Sequence, residues 1–424
     1  MKKKQLKLKY ALILLFISLV SNAQQNEVAS IEIRGLKRTK VSFIRKILNT
    51  KPNAVLDSTI INNDIERLKR LPLVSHASYQ VFYSHENKHN VFFNIEENFT
   101  LIPNVNLWTA VNDQLAYRLG LSDFNFLGRG IAFGGFYQNN GYDTYSINFR
   151  APYLFSKHLG LAVNHQNWKS EEPLYFENTS ANYLYNNISI EALAIVEFNR
   201  KHKLHLGINF FTEKFEYLNG EVPENVPRNL DINKTLYKLV YDFDGLEYHY
   251  QYVSGFRSLL YVQSVEAENN LQPNFLIAWN DFFFYKRIGD KGNWANRLRL
   301  GLSTNNDSPF APFSLDNNLN IRGVGNLIDR GTGVIVLNTE YRHSLIEKKW
   351  FVLQSNVFVD SGTWRNPGGE FNDFVRSQNL RVYPGFGLRF INKRIYNATL
   401  RIDYGFGITE NSSNGIVFGI GQYF

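Results

Sequence analysis

The stretch Gly333-Val334-Ile335-Val336-Leu337-Asn338-Thr339-Glu340-Tyr341-Arg342-His343 puts Ile335, Leu337 and Tyr341 on one parity and Asn338, Glu340 and Arg342 on the other. Successive side chains of a strand point to opposite faces, so this segment has one apolar and one polar wall. Residues 351–360 repeat the pattern, with Leu353, Val357 and Val359 against Gln354, Asn356 and Asp360. If the apolar wall meets lipid, the carboxylates of Glu340 and Asp360 face a lumen. Just upstream, between the strand-like segments 294–302 and 333–343, lies the polar stretch 303–332, which contains the tripeptide Ile321-Arg322-Gly323. Folding this loop inward would bring Arg322 to one of those carboxylates, and a guanidinium–carboxylate fork holds a loop by two parallel hydrogen bonds.

Composition points the same way. Aromatic residues make up 15% of the chain while mean hydropathy is only −0.29, as expected when every second residue of a sheet meets lipid. No segment beyond residue 23 has the length of a transmembrane helix. The chain opens with Lys2, Lys3, Lys4, Lys7 and Lys9, runs apolar over 11–20 and reaches Ser21-Asn22-Ala23, which predicts a secretory signal over residues 1–23, cut after Ala23. Subtracting its five lysines from the formal charge of +8 leaves +3, so the basic balance makes no case for nucleic acid. Cysteine is absent, which excludes disulfides, thiolate chemistry and a lipid carried on cysteine.

Residues 27–98 have a different texture. A short alternating run around Ile31 and Ile33 ends at Gly35; Val41, Ile44 and Leu48 follow at helical spacing; Asp57 or Ser58 caps a second helix bearing Ile61, Ile65 and Leu68, stopped by Pro72. Two alternating runs, 78–83 and 90–95, complete a β-α-α-β-β order, enough for one small α+β domain. The segments Ile31-Glu32-Ile33-Arg34-Gly35-Leu36-Lys37-Arg38-Thr39, Leu68-Lys69-Arg70-Leu71-Pro72-Leu73-Val74 and Val91-Phe92-Phe93-Asn94-Ile95-Glu96-Glu97 resemble a POTRA (polypeptide-transport-associated) domain.

From residue 99 to 424 about sixteen alternating stretches follow, an even number as in bacterial all-β transmembrane barrels. The first, around 104–110, is weak and sits just after Pro103. Links expected on one side are short (126–129, 199–201, 392–394), and those on the other are long (167–180, 218–232, 303–332, 361–381). Short periplasmic turns and long outer loops have this asymmetry. At the end, Ile416, Phe418, Ile420 and Phe424 share one parity and Gly415, Gly419 and Gly421 the other, which predicts a greasy outer face and a bare inner one running to the last residue.

A single POTRA followed by such a barrel, with Ile-Arg-Gly on its sixth outer loop, resembles the BamA/TamA-like outer-membrane assembly and translocation superfamily. The likeness rests also on Asp123-Phe124-Asn125-Phe126-Leu127-Gly128-Arg129-Gly130, Pro152-Tyr153-Leu154, Glu340-Tyr341-Arg342 and Phe358-Val359-Asp360-Ser361-Gly362. It implies that Arg322 folds into the lumen and pairs with Asp360; Asp403, inward on the fifteenth strand with Arg401, is a rival partner. The family usually has an aromatic after Arg-Gly, where this chain has Val324. The resemblance further implies an outer-membrane protein, exported and with its POTRA domain in the periplasm, that folds, inserts or translocates client polypeptides without nucleotide hydrolysis. A seam would lie between the first strand (104–109, from Asn104 to Thr109) and the last, near Ile416, Gly419, Gly421 and Phe424. The alternatives are a dedicated secretion pore or a passive channel; an accessory periplasmic protein or self-association is left open. Gly323-Val324-Gly325 and Gly331-Thr332-Gly333 lack the strand-to-helix context of a phosphate loop. The pairs His202/His205 and His85/His89 lack a third metal ligand, and no nucleophile elbow occurs, so neither enzyme nor cofactor is expected.

Overall fold

The computed structural model describes residues 26–424 apart from Glu86, 110–114, 176–178, Asn225, 269–272, 307–310, 316–319, 325–328 and Asn411. The signal expected over 1–23 lies outside the described residues. The N-terminal domain runs β1 (Glu27–Arg34), α1 (Val41–Ile47), α2 (Ser58–Lys69), β2 (Val74–Tyr83) and β3 (Lys88–Glu97). Its sheet has the order β1-β3-β2, with β3 parallel to β1 and antiparallel to β2. Helical spacing brings Phe43, Ile44 and Ile47 of α1 and Ile61, Ile65 and Leu68 of α2 onto Val91, Phe93 and Ile95 of β3, forming one core. The Asp57 carboxylate caps α2 by accepting from the Thr59 N–H at 2.7 Å. Buried Asp64 accepts from the Asn49 and Thr50 N–H groups and the Thr50 hydroxyl, tying the helices together.

The second unit is a closed barrel. Its strands are β4 (Leu101–Thr109), β5 (Leu115–Phe126), β6 (Ile131–Asn139), β7 (Asp143–Ala151), β8 (Leu159–Tyr175), β9 (Ser180–Glu197), β10 (His202–Gly220), β11 (Asn229–Asp244), β12 (Glu247–His249), β13 (Tyr252–Ala267), β14 (Phe275–Ile288) and β15 (Gly292–Ser303). A small hairpin, β16 (Phe313–Leu315) and β17 (Asp329–Gly331), stands apart, and the wall resumes with β18 (Gly333–Glu347), β19 (Phe351–Arg365), β20 (Leu380–Asn392), β21 (Thr399–Phe406) and β22 (Asn414–Ile420). Among the described residues seventeen segments form the wall; β12 is only three residues long, and without it the strands number sixteen. The sheet closes where β22 meets β4, so the ladder has no open edge among the described residues.

Alternation sorts the side chains. Leu337, Val357, Val359, Phe386, Leu388 and Phe418 are exposed outward, while Asn338, Glu340, Arg342, Gln354, Asn356, Asp360, Arg389 and Asp403 are buried inward. The wall is lopsided: β8, β9 and β10 have 17, 18 and 19 residues, whereas β21 and β22 next to the closure have eight and seven.

The structure corrects three expectations. The stretch 167–180 is largely strand, and 218–232 is strand only up to Gly220 and from Asn229, because Tyr183 and Phe215 pack on Leu174 and Ala181 and extend the sheet where outer and inner faces no longer differ in polarity. The first strand begins at Leu101 and includes Pro103, opposite Leu121. The last strand does not run to Phe424. Ile416, Phe418 and Ile420 do face outward, but β22 stops at Ile420, and Gly421 takes φ +90°, a left-handed conformation that suits glycine. Residues 422–424 then leave the wall, and Tyr423 is buried inside the bore.

Candidate functional site

The loop between β15 and β18 enters the bore. Arg322 is fully buried there. Its Nε and Nη2 donate to Asp360 Oδ2 and Oδ1 at 2.8 and 2.9 Å, and its backbone N–H donates to Asp360 Oδ2 at 3.0 Å. Nη1 donates to Glu340 Oε2 at 2.7 Å and lies 3.7 Å from Asp403 Oδ1. The arginine thus forks onto Asp360, with Glu340 as second partner and Asp403 as the most distant of three carboxylates. Asp403 itself accepts from Arg401 Nη1 at 3.2 Å and from the Asn356 amide at 3.1 Å. Glu340 is shared with Arg342 and with Arg389 Nη2, the latter at 3.0 Å. Carboxylates and guanidiniums alternate around the cluster, which offsets the cost of desolvating each.

Each residue of the two short motifs has a physical task. Phe358 places its ring 3.6 Å from the Arg322 guanidinium carbon. A Cβ on Gly362 would come within 2.9 Å of the Ile321 side chain, so the glycine leaves room for Ile321 to bury among Leu315, Val334 and Val336. Gly323 has φ +97°, and a Cβ there would approach the Gly405 carbonyl oxygen at 2.6 Å. Val324 is buried in the same cluster as Ile321.

The tail supplies what Val324 lacks. The Tyr423 ring lies 4.4 Å from the guanidinium carbon of Arg322, and 4.9 Å from that of Arg401, so Arg322 stacks on two aromatic rings. The Phe424 main-chain oxygen accepts from Arg342 Nη2 at 3.1 Å. Gly419 lies under Arg401, whose guanidinium a Cβ would strike, and Gly415 faces Gly323. These inward glycines therefore make room for the loop and its arginines. Asn104 and Thr109 lie on β4 and Ile416 and Gly419 on β22, the two strands at the closure, whereas Gly421 and Phe424 lie beyond it.

More anchors hold the rest of the loop. Asn320 accepts from Arg297 Nη2 and Arg299 Nη1 at 3.1 and 3.2 Å, and its carbonyl from Asn338 at 2.8 Å. Arg381 pairs with Asp329 at 3.0 Å, and Arg330 reaches Glu172 on β8 at 2.8 Å, so the loop crosses the bore from wall to wall. The histidines do other work: His202 bonds the Tyr241 hydroxyl at 2.5 Å and His205 lies on Arg150.

At the opposite end the N-terminal domain rests on the short turns. Asp123 binds Arg38 at 3.0 Å, Asn125 donates to the Thr39 hydroxyl at 2.9 Å, and Lys40 N–H donates to the Gly128 carbonyl at 2.9 Å. Lys46 Nζ donates to the Tyr153 carbonyl at 2.7 Å, Arg67 pairs with Glu197 at 2.9 Å, and Arg70 with Asp244 at 3.3 Å. The 123–130 and 152–154 motifs are thus the barrel's half of a joint. Glu97 completes it by accepting from the N–H groups of Lys37, Arg38 and Thr39 at 2.9–3.0 Å.

The POTRA family model, described as surface antigen variable number repeat, matches residues 26–98. Residues 26–98 thus match one POTRA domain, and the chain as a whole shares its fold with solved barrels that carry such domains. BamA from Haemophilus ducreyi lacking POTRA domains 1–3 has the same fold, with TM-score 0.53 at 16% identity over 92% of this chain and 83% of that one. CdiB from Acinetobacter baumannii gives 0.61 at 12% identity over 93% and 73%, and CdiB from Escherichia coli 0.60 at 10% over 93% and 75%. No curated protein matches the sequence. Tyr423, Arg389 and Asn320 were missed by sequence reasoning. The parity of Arg389 between outward Leu388 and Phe390 marks it as inward, but no local pattern marks Tyr423, because the turn at Gly421 resets the register.

Proposed function

We propose that this is an outer-membrane protein, exported by its N-terminal signal, that helps other polypeptides fold, insert or cross at that membrane without nucleotide hydrolysis. The observation that carries this reading is the bore itself. It is crossed by a loop held on a buried charge cluster, while a POTRA sheet with β2 as a free edge is clamped at the end with the short turns. A passive channel needs an open bore and has no use for such an edge. An extended client can add to the edge by main-chain hydrogen bonds, and the wall is shortest where β21 and β22 approach the closure on β4.

The chain has no cysteine, so one introduced within 104–109 and one within 416–420 can be crosslinked without background. Bridging requires Cα atoms within about 7 Å. Loss of client insertion on oxidation, restored by reductant, is the expected result. Full activity in the crosslinked protein would sink the seam and leave passage through the bore, as in a dedicated secretion pore. Steady ion current before and after deletion of 303–332 would mark a passive channel instead.

A further inference from the structure

Between the POTRA domain and the barrel turns lies a cleft of about 420 Å³. Asn49, Asn63 and Arg67 form its POTRA wall; His158 and the turn 198–201 form the other. Among the described residues no carboxylate lines it. Arg67, at the back, is neutralised by Glu197 at 2.9 Å. Arg200 and Lys201 at the mouth make no ion pair among the described residues; of the carboxylates near Arg200, Glu66 engages Lys69 through one oxygen at 2.9 Å and Asp244 engages Arg70 at 3.3 Å, while Glu247 lies on β12. Two unpaired cations backed by amide groups suit an anion that offers several acceptor oxygens, such as a phosphate.

The cleft also has an apolar lip. Phe198 is 58% exposed and continues, one residue past β9, the outward parity of Ile188 and Ile190. Phe155, on the neighbouring turn, is 62% exposed. Aromatic side chains at the ends of outward strand faces mark the level of lipid headgroups. A phosphate seated on Arg200 and Lys201 would therefore carry its acyl chains past Phe198 and Phe155. Resting on the membrane reading above, we propose that this cleft binds the phosphate headgroup of an anionic phospholipid in the leaflet on the POTRA side, seating the POTRA domain against the membrane surface.

The test uses the full chain in detergent, titrated with phosphatidylglycerol and followed by native mass spectrometry. Arg200→Gln/Lys201→Gln removes two charge-assisted contacts and should weaken lipid retention about a hundredfold, on the order of tenfold for each. Lys348→Gln/Lys349→Gln, on another exposed turn at the same end, should leave it unchanged. Lys201, Lys348 and Lys349 are exposed and Arg200 is half-buried, so unfolding temperatures check that both variants are folded before their lipid retention is compared. Equal retention by all three proteins overturns the proposal. Displacement of phosphatidylglycerol by millimolar inorganic phosphate overturns the lipid assignment in favour of a free-anion site. Flotation with phosphatidylglycerol vesicles is scored separately: wild-type protein that does not float removes the membrane reading itself, whereas protein that floats without lipid selectivity removes only this inference.

Discussion

At the residue scale, Arg322 concentrates the energetics of the loop. Removing one partner from a buried ion pair costs about 3–5 kcal/mol, since the survivor is left desolvated. Arg322→Ala is expected to leave the barrel folded but to lower its unfolding temperature in detergent, and Asp360→Ala to do the same without adding to it, because contacting groups are not independent. A double variant that loses the full sum of the singles would show that the fork carries no energy. Arg322→Lys should not restore stability, since an ammonium cannot engage Asp360 bidentately while donating to Glu340. Tyr423 permits a cleaner test of the stacked ring. Tyr423→Phe keeps the face on Arg322 and should lose less than Tyr423→Ala, which should destabilise by about 1–2 kcal/mol. Equal losses in the two variants would mean that the hydroxyl, not the ring, matters.

At the element scale, the joint between β3 and the turn after β5 turns on Glu97. Burial raises its carboxyl, but hydrogen bonds from the Thr39 hydroxyl and the N–H groups of Arg38, Thr39 and Lys37 outweigh that and hold it below its usual value. A carboxyl depressed in the folded state stabilises fully above its unfolded value of about 4.3 and loses that contribution as pH falls through the folded value. Segment 37–39 should therefore become accessible to an acid-active protease only below about pH 4. Glu97→Gln should be loosened at every pH and show no such transition. A wild-type profile as flat as that of the variant would remove Glu97 as the acid-sensitive group.

At the scale of the whole molecule, two units with separate sheets meet through ion pairs and turns. The POTRA core is built almost wholly from its own residues, Tyr153 being the barrel's contribution, and the barrel closes its own ladder. Residues 99–424 should refold alone in detergent, and 27–98 should be a soluble monomer. The separated barrel should unfold at a lower temperature than the full chain, because Glu197 then loses Arg67 at 2.9 Å and keeps the Tyr153 hydroxyl, at 3.1 Å, and Lys203, at 3.8 Å. A barrel that stays protease-sensitive without its N-terminal domain would place the boundary elsewhere.

Period-two patterning by itself determined most of the wall. Where one face is apolar and exposed and the other lines a charged bore, as at Leu337 beside Asn338 or Val359 beside Asp360, hydrophobicity and strand geometry report the same fact. The α+β domain was equally legible, because helical spacing and the Asp57 cap are local signals. The pattern failed where both faces of a strand meet similar surroundings, as in the extensions of β8 to β10, and where one residue changes direction, as at Gly421. Alternation could place Glu340, Asp360 and Asp403 on inward faces, with Arg322 on the loop beside them, but only the family resemblance, not the residues, ranked Asp360 first. That ranking depends on how far the loop descends, which Ile321 against Gly362 and Gly323 against Gly405 decide. The second ring on Arg322 was out of reach for the same reason: Tyr423 is 101 positions away in the chain, and only closure of the barrel brings the tail and the loop together.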